Sequence, residues 1–164
     1  MDPIIIYKIV FREEHLVEPI EPGIEFDLQD YYTEPEKFRS AFEKYIPHID
    51  MMINCVYWDI RYPRLVTKDY LQQLFAQGTP KLKVIGDISC DVNGSVECTD
   101  KGTEIEDPIF VYHPDTRTHT MGHKGEGLLV MAVDILPSEL PRDSSAGFAD
   151  VLINYVKSIA DCDF

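Results

Sequence analysis

Four short apolar runs, rich in β-branched residues, constrain this chain more than any other feature: residues 4–11 (IIIYKIVF), 51–58 (MMINCVYW), 83–88 (KVIGDI) and 128–134 (LLVMAVD). Each has the length of a strand and lacks clean polar alternation, the pattern of a strand buried on both faces. Between them lie segments with helical punctuation. Pro35 opens a pattern at residues 36–45 that puts Phe38, Phe42 and Tyr45 on one face, and Pro47 stops it. Thr67 is an N-cap for a helix running through Phe75, ended by Gly78 and Pro80. Residues 145–159 place Phe148, Leu152, Tyr155, Val156 and Ile159 on one helical stripe. Residues 109–113 and 116–120 read as a hairpin around Pro114 and Asp115. Residues 12–35, with Pro19, Pro22 and Gly23, read as a long surface loop. Apolar strands alternating with helices predict an α/β fold, in which the four runs form one mostly parallel sheet flanked by helices on both faces.

At 164 residues the chain fits one domain with a substantial core. Its 29 acidic residues outweigh 15 basic ones, for a net charge of −14. A field of that sign repels phosphate backbones and argues against a nucleic-acid partner. The longest apolar runs are too short to cross a bilayer, so no membrane partner is expected. Residues 1–10 carry no signal-peptide pattern. Cys55, Cys90, Cys98 and Cys162 form no C-x-x-C pair and read as reduced thiols, which points to an intracellular protein.

The element order is that of the C-terminal half of a doubly wound nucleotide-binding domain, spanning residues 1–164 as a single partial domain. The strand and glycine-rich turn that open such a domain are expected to lie outside these residues. Ligands of doubly wound sheets sit beyond the carboxyl ends of the strands. That places Tyr57 and Trp58, then Ile88 to Asp91, then Asp134 to Pro137 around one crevice. The competing reading is that Asp87, Asp91 and Asp134 only cap turns. Gly122, Gly125 and Gly127 precede a strand rather than following one, so they suit a flexible turn better than a phosphate loop. His113, His119 and His123 lack a fourth ligand at convincing spacing, and no metal is expected. No G-x-S-x-G elbow is present.

Beyond this the chain resembles the lysine-ketoglutarate reductase portion of the α-aminoadipic semialdehyde synthases. The matching stretches are YYTEPEKF at 31–38, INCVYWDIRYPRL at 53–65, GDISCDVNGSVE at 86–97 and AVDILPSELPRDSS at 132–145. The second and third are specific. The fourth is shared with alanine dehydrogenases and fungal saccharopine dehydrogenases. The resemblance implies a Rossmann-like fold and a reaction of lysine degradation, in which lysine and 2-oxoglutarate condense to an imine that NADPH reduces to saccharopine. It further implies a mitochondrial location. It places Cys55, Val56 and Tyr57 on the cofactor's ribose side, Ile88 and Asp91 by the nicotinamide, and Asp134, Ile135 and Leu136 over the same ring. Arg142 is read as an anchor of the following helix rather than a substrate ligand. The family's acid/base residues and pyrophosphate turn have no counterpart in these residues, so the isolated chain is expected to be inactive and no catalytic residue is assigned. The alternative is a truncated paralogue serving as a dimerisation module. Under either reading, self-association is expected through the uncovered sheet edge.

Overall fold

The computed structural model describes residues 5–162. The main sheet has five strands: β3 (Met51–Asn54), β4 (Val84–Asp87), β5 (Ile109–His113), β6 (Thr118–Met121) and β7 (Leu128–Met131), in the order β3-β4-β7-β5-β6. The first three of these neighbours run parallel, in the register Met51↔Val84↔Leu129. The β5–β6 hairpin then adds antiparallel to β7. Helix α3 (Lys68–Ala76) connects β3 to β4. Thr67 caps it, its hydroxyl accepting from Tyr70 N at 3.2 Å and donating to Glu43 Oε1 at 2.9 Å. The α/β architecture and the parallel β3-β4-β7 core thus follow the sequence reading.

One face of the sheet carries the core. Met52, Ile85, Leu128, Val130, Phe110 and Tyr112 are buried there with Leu71 of α3, Leu82, Val96 and Ile46. A second layer of aromatics extends this core. Phe38 packs edge-on against Tyr31 at 5.3 Å between centroids, Phe26 lies 5.7 Å from Phe38, and Phe11 lies 5.1 Å from Phe42.

Three segments depart from the sequence reading. Ile4 lies outside the described residues, and residues 5–12 contain no strand. Ile6, at 89% exposed, and Tyr7, Ile9 and Val10 face solvent. A β-branched run becomes a strand only where a neighbouring strand takes up its backbone groups, and the outer side of β3 pairs with none among the described residues. The supposed helix at 36–45 is instead a 3-10 turn (Pro35–Lys37), a short strand β2 (Phe38–Ser40) and a second 3-10 segment (Phe42–His48). Strand β2 pairs antiparallel with β1 (Val17–Pro19), and the contact continues through Ile20 N to Lys37 O at 2.8 Å and Ala41 N to Leu16 O at 2.8 Å. The aromatic spacing read as a helix face serves a two-stranded ribbon. Residues 12–35, read as a loop, also hold α1 (Glu13–Leu16) and α2 (Leu28–Thr33), the latter capped by Asp27, whose carboxylate accepts from Asp30 N at 2.9 Å.

Helix α4 (Pro141–Ala160) forms where the stripe at 145–159 places it and starts four residues earlier, with Pro141 in its first turn. None of its residues is buried, and Phe148 is 68% exposed. The second face of the sheet is open at its β3 end, where Met51 is 59% and Ile53 58% exposed, whereas Val84, Leu129 and Met131 are partly covered and Val111 is buried. The expected two-sided cover is therefore complete on one face and partial on the other.

Candidate functional site

The carboxyl ends of β3, β4 and β7 lie at one edge of the sheet because the three strands are parallel and in register. A group of buried polar side chains fixes the first two ends. Asn54, in phase with Met52 on the inward face of β3, donates through Nδ2 to Asp87 Oδ1 (2.8 Å) and Ser95 Oγ (2.9 Å). Thr99 Oγ1 donates to Asp87 Oδ2 at 2.6 Å. All four residues are almost wholly buried. The Asp87 carboxylate thus has its two oxygens held by the strand before it and the loop after it, which suits a buried group that would otherwise be costly.

That loop, residues 88–100, is tied down at several further points. Ile88 N donates to Asn54 O at 2.8 Å, extending the ladder by one residue. Ser89 Oγ donates to Val56 O at 2.7 Å, joining the two strand-end loops. Cys90 adopts a left-handed conformation (φ 56°), and its thiol donates to Asp87 O at 3.0 Å. Gly94 N donates to Asp91 O at 2.8 Å, closing a turn so tight that a Cβ on Gly94 would stand 2.8 Å from that carbonyl oxygen. Lys68 Nζ reaches Asn93 Oδ1 at 2.8 Å and Asp100 Oδ1 at 2.7 Å, and Lys68 N, at the start of α3, donates to Glu97 Oε2 at 2.8 Å.

Between the two loops opens a shallow depression of about 350 Å³, lined by Cys55, Val56, Tyr57, Trp58, Ser89 and Asp91. Tyr57 stands 80% exposed at its rim. Trp58 is held by its indole N–H, donating to Tyr62 O at 3.0 Å, and by the Arg64 guanidinium over its ring at 5.3 Å. A second depression of about 310 Å³ shares Cys55, Val56 and Tyr57 and continues toward Tyr31, Tyr32, Tyr62 and Arg12. Of the residues singled out in the sequence, Cys55, Val56, Tyr57 and Asp91 come together here. Ile88 sits at the same edge, partly exposed, without lining the depression. Asp134, Ile135 and Leu136 follow β7, with Asp134 and Ile135 exposed and Leu136 starting a 3-10 turn (Leu136–Glu139). Because β7 runs parallel to β4, these three residues follow the strand at the same edge of the sheet, and none of them lines either depression. Arg142 lies exposed in the first turn of α4.

The electrostatics of this edge are acidic. Burial, and then the negative charge of Asp87, hold the Asp91 carboxyl above its usual range. Burial, followed by Asp87, Asp134 and Asp91, pushes the Cys90 thiol up to about 11, so it stays protonated and is a poor nucleophile at neutral pH. The depression fits an uncharged planar amide ring: it offers an acceptor in Asp91, apolar walls in Val56 and Tyr57, and room. It does not fit a phosphate. None of its lining residues is basic, and the N-terminus of α3 already holds the Glu97 carboxylate.

The glycine-rich stretch before β7 is structural. Gly127 (φ 150°) passes so close to β5 that a Cβ would stand 2.9 Å from Val111 Cγ1. His113 is engaged by Glu126 O at 2.8 Å through Nδ1 and by Thr120 Oγ1 at 2.9 Å through Nε2. His119 Nδ1 lies 3.4 Å from Asp100 Oδ2. What the sequence reading missed is the buried Asn54–Asp87–Ser95–Thr99 group. Its signal was present: Asn54 interrupts an apolar run at a position in phase with Met52, where only a bonded polar group is tolerated.

Comparison with known proteins agrees with this architecture. Residues 28–164 match the family described as alanine dehydrogenase/PNT, C-terminal domain. The α-aminoadipic semialdehyde synthase of Arabidopsis thaliana is 38% identical over 156 residues, covering 94% of this chain and 15% of that protein. The mitochondrial α-aminoadipic semialdehyde synthase of Bos taurus is 34% identical over 165 residues, covering 92% of this chain and 18% of that protein. The NAD(+), L-lysine-forming saccharopine dehydrogenase of Emericella nidulans is 29% identical over 147 residues, covering 84% and 35%. The chain therefore spans less than a fifth of the length of the two synthases. It belongs to the alanine dehydrogenase/PNT C-terminal domain family, a dehydrogenase-type cofactor-binding domain related to the enzymes of lysine degradation.

Proposed function

We propose that this chain supplies the nicotinamide side of a reductase site that forms saccharopine from lysine and 2-oxoglutarate with NADPH, within the mitochondrial matrix. The observation that carries this reading is the meeting of residues 55–58 with Ser89 and Asp91 in one depression at the carboxyl ends of parallel strands, where doubly wound sheets bind ligands. The cofactor, when bound, supplies the hydride. This chain's residues orient it. Asp91 accepts from the carboxamide NH2 group, Val56 and Tyr57 flank the ring and ribose, and Ile88, Asp134, Ile135 and Leu136 border the same edge. The Asp91 carboxylate also favours a cationic iminium at the reacting carbon over its neutral form. The loop geometry behind Asp91 is held by Asp87 and Gly94, so the acceptor is preorganised.

The acidic edge offers no cradle for the pyrophosphate, and that part of the site is assigned to residues outside this chain. The isolated chain accordingly binds cofactor weakly and turns over no substrate. In a full-length parent enzyme, Asp91→Ala lowers kcat by a factor of ten or more while leaving the melting temperature within ~2 °C. Unchanged turnover would return Asp91 to the role of a turn cap.

One observation favours a second reading. Strand β3 is an edge of the sheet, and its outward side chains Met51 and Ile53 are exposed. An open edge of this kind promotes self-association, and a chain of this family lacking turnover would serve as a dimerisation module.

A further inference from the structure

The two loops that wall the strand-end depression are stitched together behind it. The chain leaving β3 turns at Asp59, where Tyr62 N donates to Asp59 O at 3.0 Å, and then runs beside the loop that follows β4. Leu65 N and Val66 N both donate to Ser95 O, at 2.8 and 3.1 Å, and Glu97 N donates to Val66 O at 2.9 Å. Val66 and Val96 are thereby bridged in parallel. This short ladder fixes the backbone of Arg64 between the two walls, and Arg64 itself lines neither depression.

The Arg64 guanidinium engages both walls at once. Its central carbon lies 5.3 Å from the centre of the Trp58 ring, and Trp58 lines the depression. Its Nε and Nη2 donate to Asn93 O at 3.3 and 3.0 Å. That carbonyl belongs to the peptide unit joining Asn93 to Gly94, whose N–H donates to Asp91 O at 2.8 Å. One peptide unit is therefore gripped from both ends: Arg64 holds its C=O, and its N–H closes the turn that presents Asp91. Asn93 keeps the left-handed backbone of this turn at φ 53°, and its Oδ1 accepts from Lys68 Nζ at 2.8 Å. Glu97 Oε1, 3.9 Å from Arg64 Nε, balances the charge. The geometry points to Arg64 as a positioning residue: one planar cation sets Trp58 against the Asp91 turn and so holds the width of the depression. This rests on the nicotinamide reading of that depression. A lysine cannot replace it, because an ammonium is a point charge that bonds Asn93 O or sits over Trp58 but does not do both. Both walls are loops, and a misplacement of ~1 Å at a bound group costs on the order of 100-fold.

The test is NMR of the isotope-labelled chain, residues 1–164, titrated with NADPH. Trp58 is the single tryptophan, so its indole N–H gives one signal that reports one wall, and the Gly94 amide reports the other. Arg64→Met shifts both signals before any cofactor is added and lowers the initial slope of the titration about tenfold. Arg64→Lys falls between that variant and the parent chain. Thermal melting stays within ~2 °C, and the amides of Ile85 and Val130 in the core do not move, which a merely structural arginine would not allow. Arg61→Met is the control. Arg61 pairs with Asp59 at 2.7 Å and lies over Tyr62 at 5.7 Å but bonds nothing in residues 88–100, so its titration matches the parent. If Arg64→Met fails to fold, Arg64→Lys carries the test alone. The proposal is overturned if either variant titrates as the parent does, or if binding is lost only in step with a lowered melting temperature. A parent chain without saturable shifts sinks the nicotinamide reading and this proposal together. A parent that binds beside an Arg64→Met that binds equally sinks the proposal alone.

Discussion

The body of the molecule and its terminal helix use the same kind of sequence for opposite ends. In β4, Ile85 is wholly buried between strands on both sides and α3 beneath. In α4, an equally apolar stripe faces solvent. The contrast recurs at the other end, where residues 5–10 are as β-branched as any strand here and remain exposed. Apolar periodicity states what a segment can bury. Whether it buries anything depends on a partner that the pattern does not name.

Core and stripe should therefore differ sharply in mutational cost. Ile85→Ala should lower unfolding free energy by about 2–5 kcal/mol, whereas Phe148→Ala should change the dilute monomer by no more than ~0.5 kcal/mol, both read from urea denaturation. Comparable losses at the two positions would erase the distinction. The buried polar group comes next. Thr99→Val leaves one oxygen of Asp87 without its donor and should cost about 1–3 kcal/mol, more than Ser138→Ala in the exposed connection before α4.

Cysteine labelling sharpens the same comparison without mutation. At pH 8, iodoacetamide should modify the exposed Cys55 and Cys162 first. Cys90, with its thiol held near 11, is only about one part in a thousand thiolate at that pH. Buried Cys98 should react only on unfolding. Mass spectrometry showing Cys90 labelled as fast as Cys55 would contradict the acidic, partly buried setting at the strand ends.

The smallest effect is at Asp91. Its folded pKa is raised, so over the window between the unfolded and folded values the native state binds more protons than the unfolded chain, and stability falls as pH rises through that window. Asp91→Asn should remove this penalty and raise Tm by up to ~2 °C at pH 7, with the gain vanishing once the pH falls below the unfolded carboxylate value. A lower Tm at pH 7 would show that the carboxylate is held by bonds rather than opposed by its surroundings.

How much of this was legible in the sequence follows the same division. Strands β3, β4 and β7, the hairpin, and the Thr67-capped helix were readable because pattern, cap and turn agreed locally. The ribbon at β1 and β2 was not, because the spacing of Phe38, Phe42 and Tyr45 satisfies a helix as well as an aromatic cluster, and a strand 21 residues away decided between them. At the site, parallel strands followed by loops sufficed to bring Tyr57 and Asp91 together. Asn54 within an apolar run signals a buried polar group, but its partners are not named by the pattern, because side-chain pairing across 33 and 12 residues leaves no periodic trace.

The central claim is that the strand-end depression takes the nicotinamide ring. Two-dimensional amide NMR of the labelled chain, titrated with NADPH to millimolar concentration, tests it most directly. The account predicts weak, saturable shifts at Val56, Tyr57, Ile88, Asp91 and residues 134–136, abolished in Asp91→Ala. Shifts confined to the glycine-rich turn at 122–127 or to α4, or no shifts at any concentration, would contradict it.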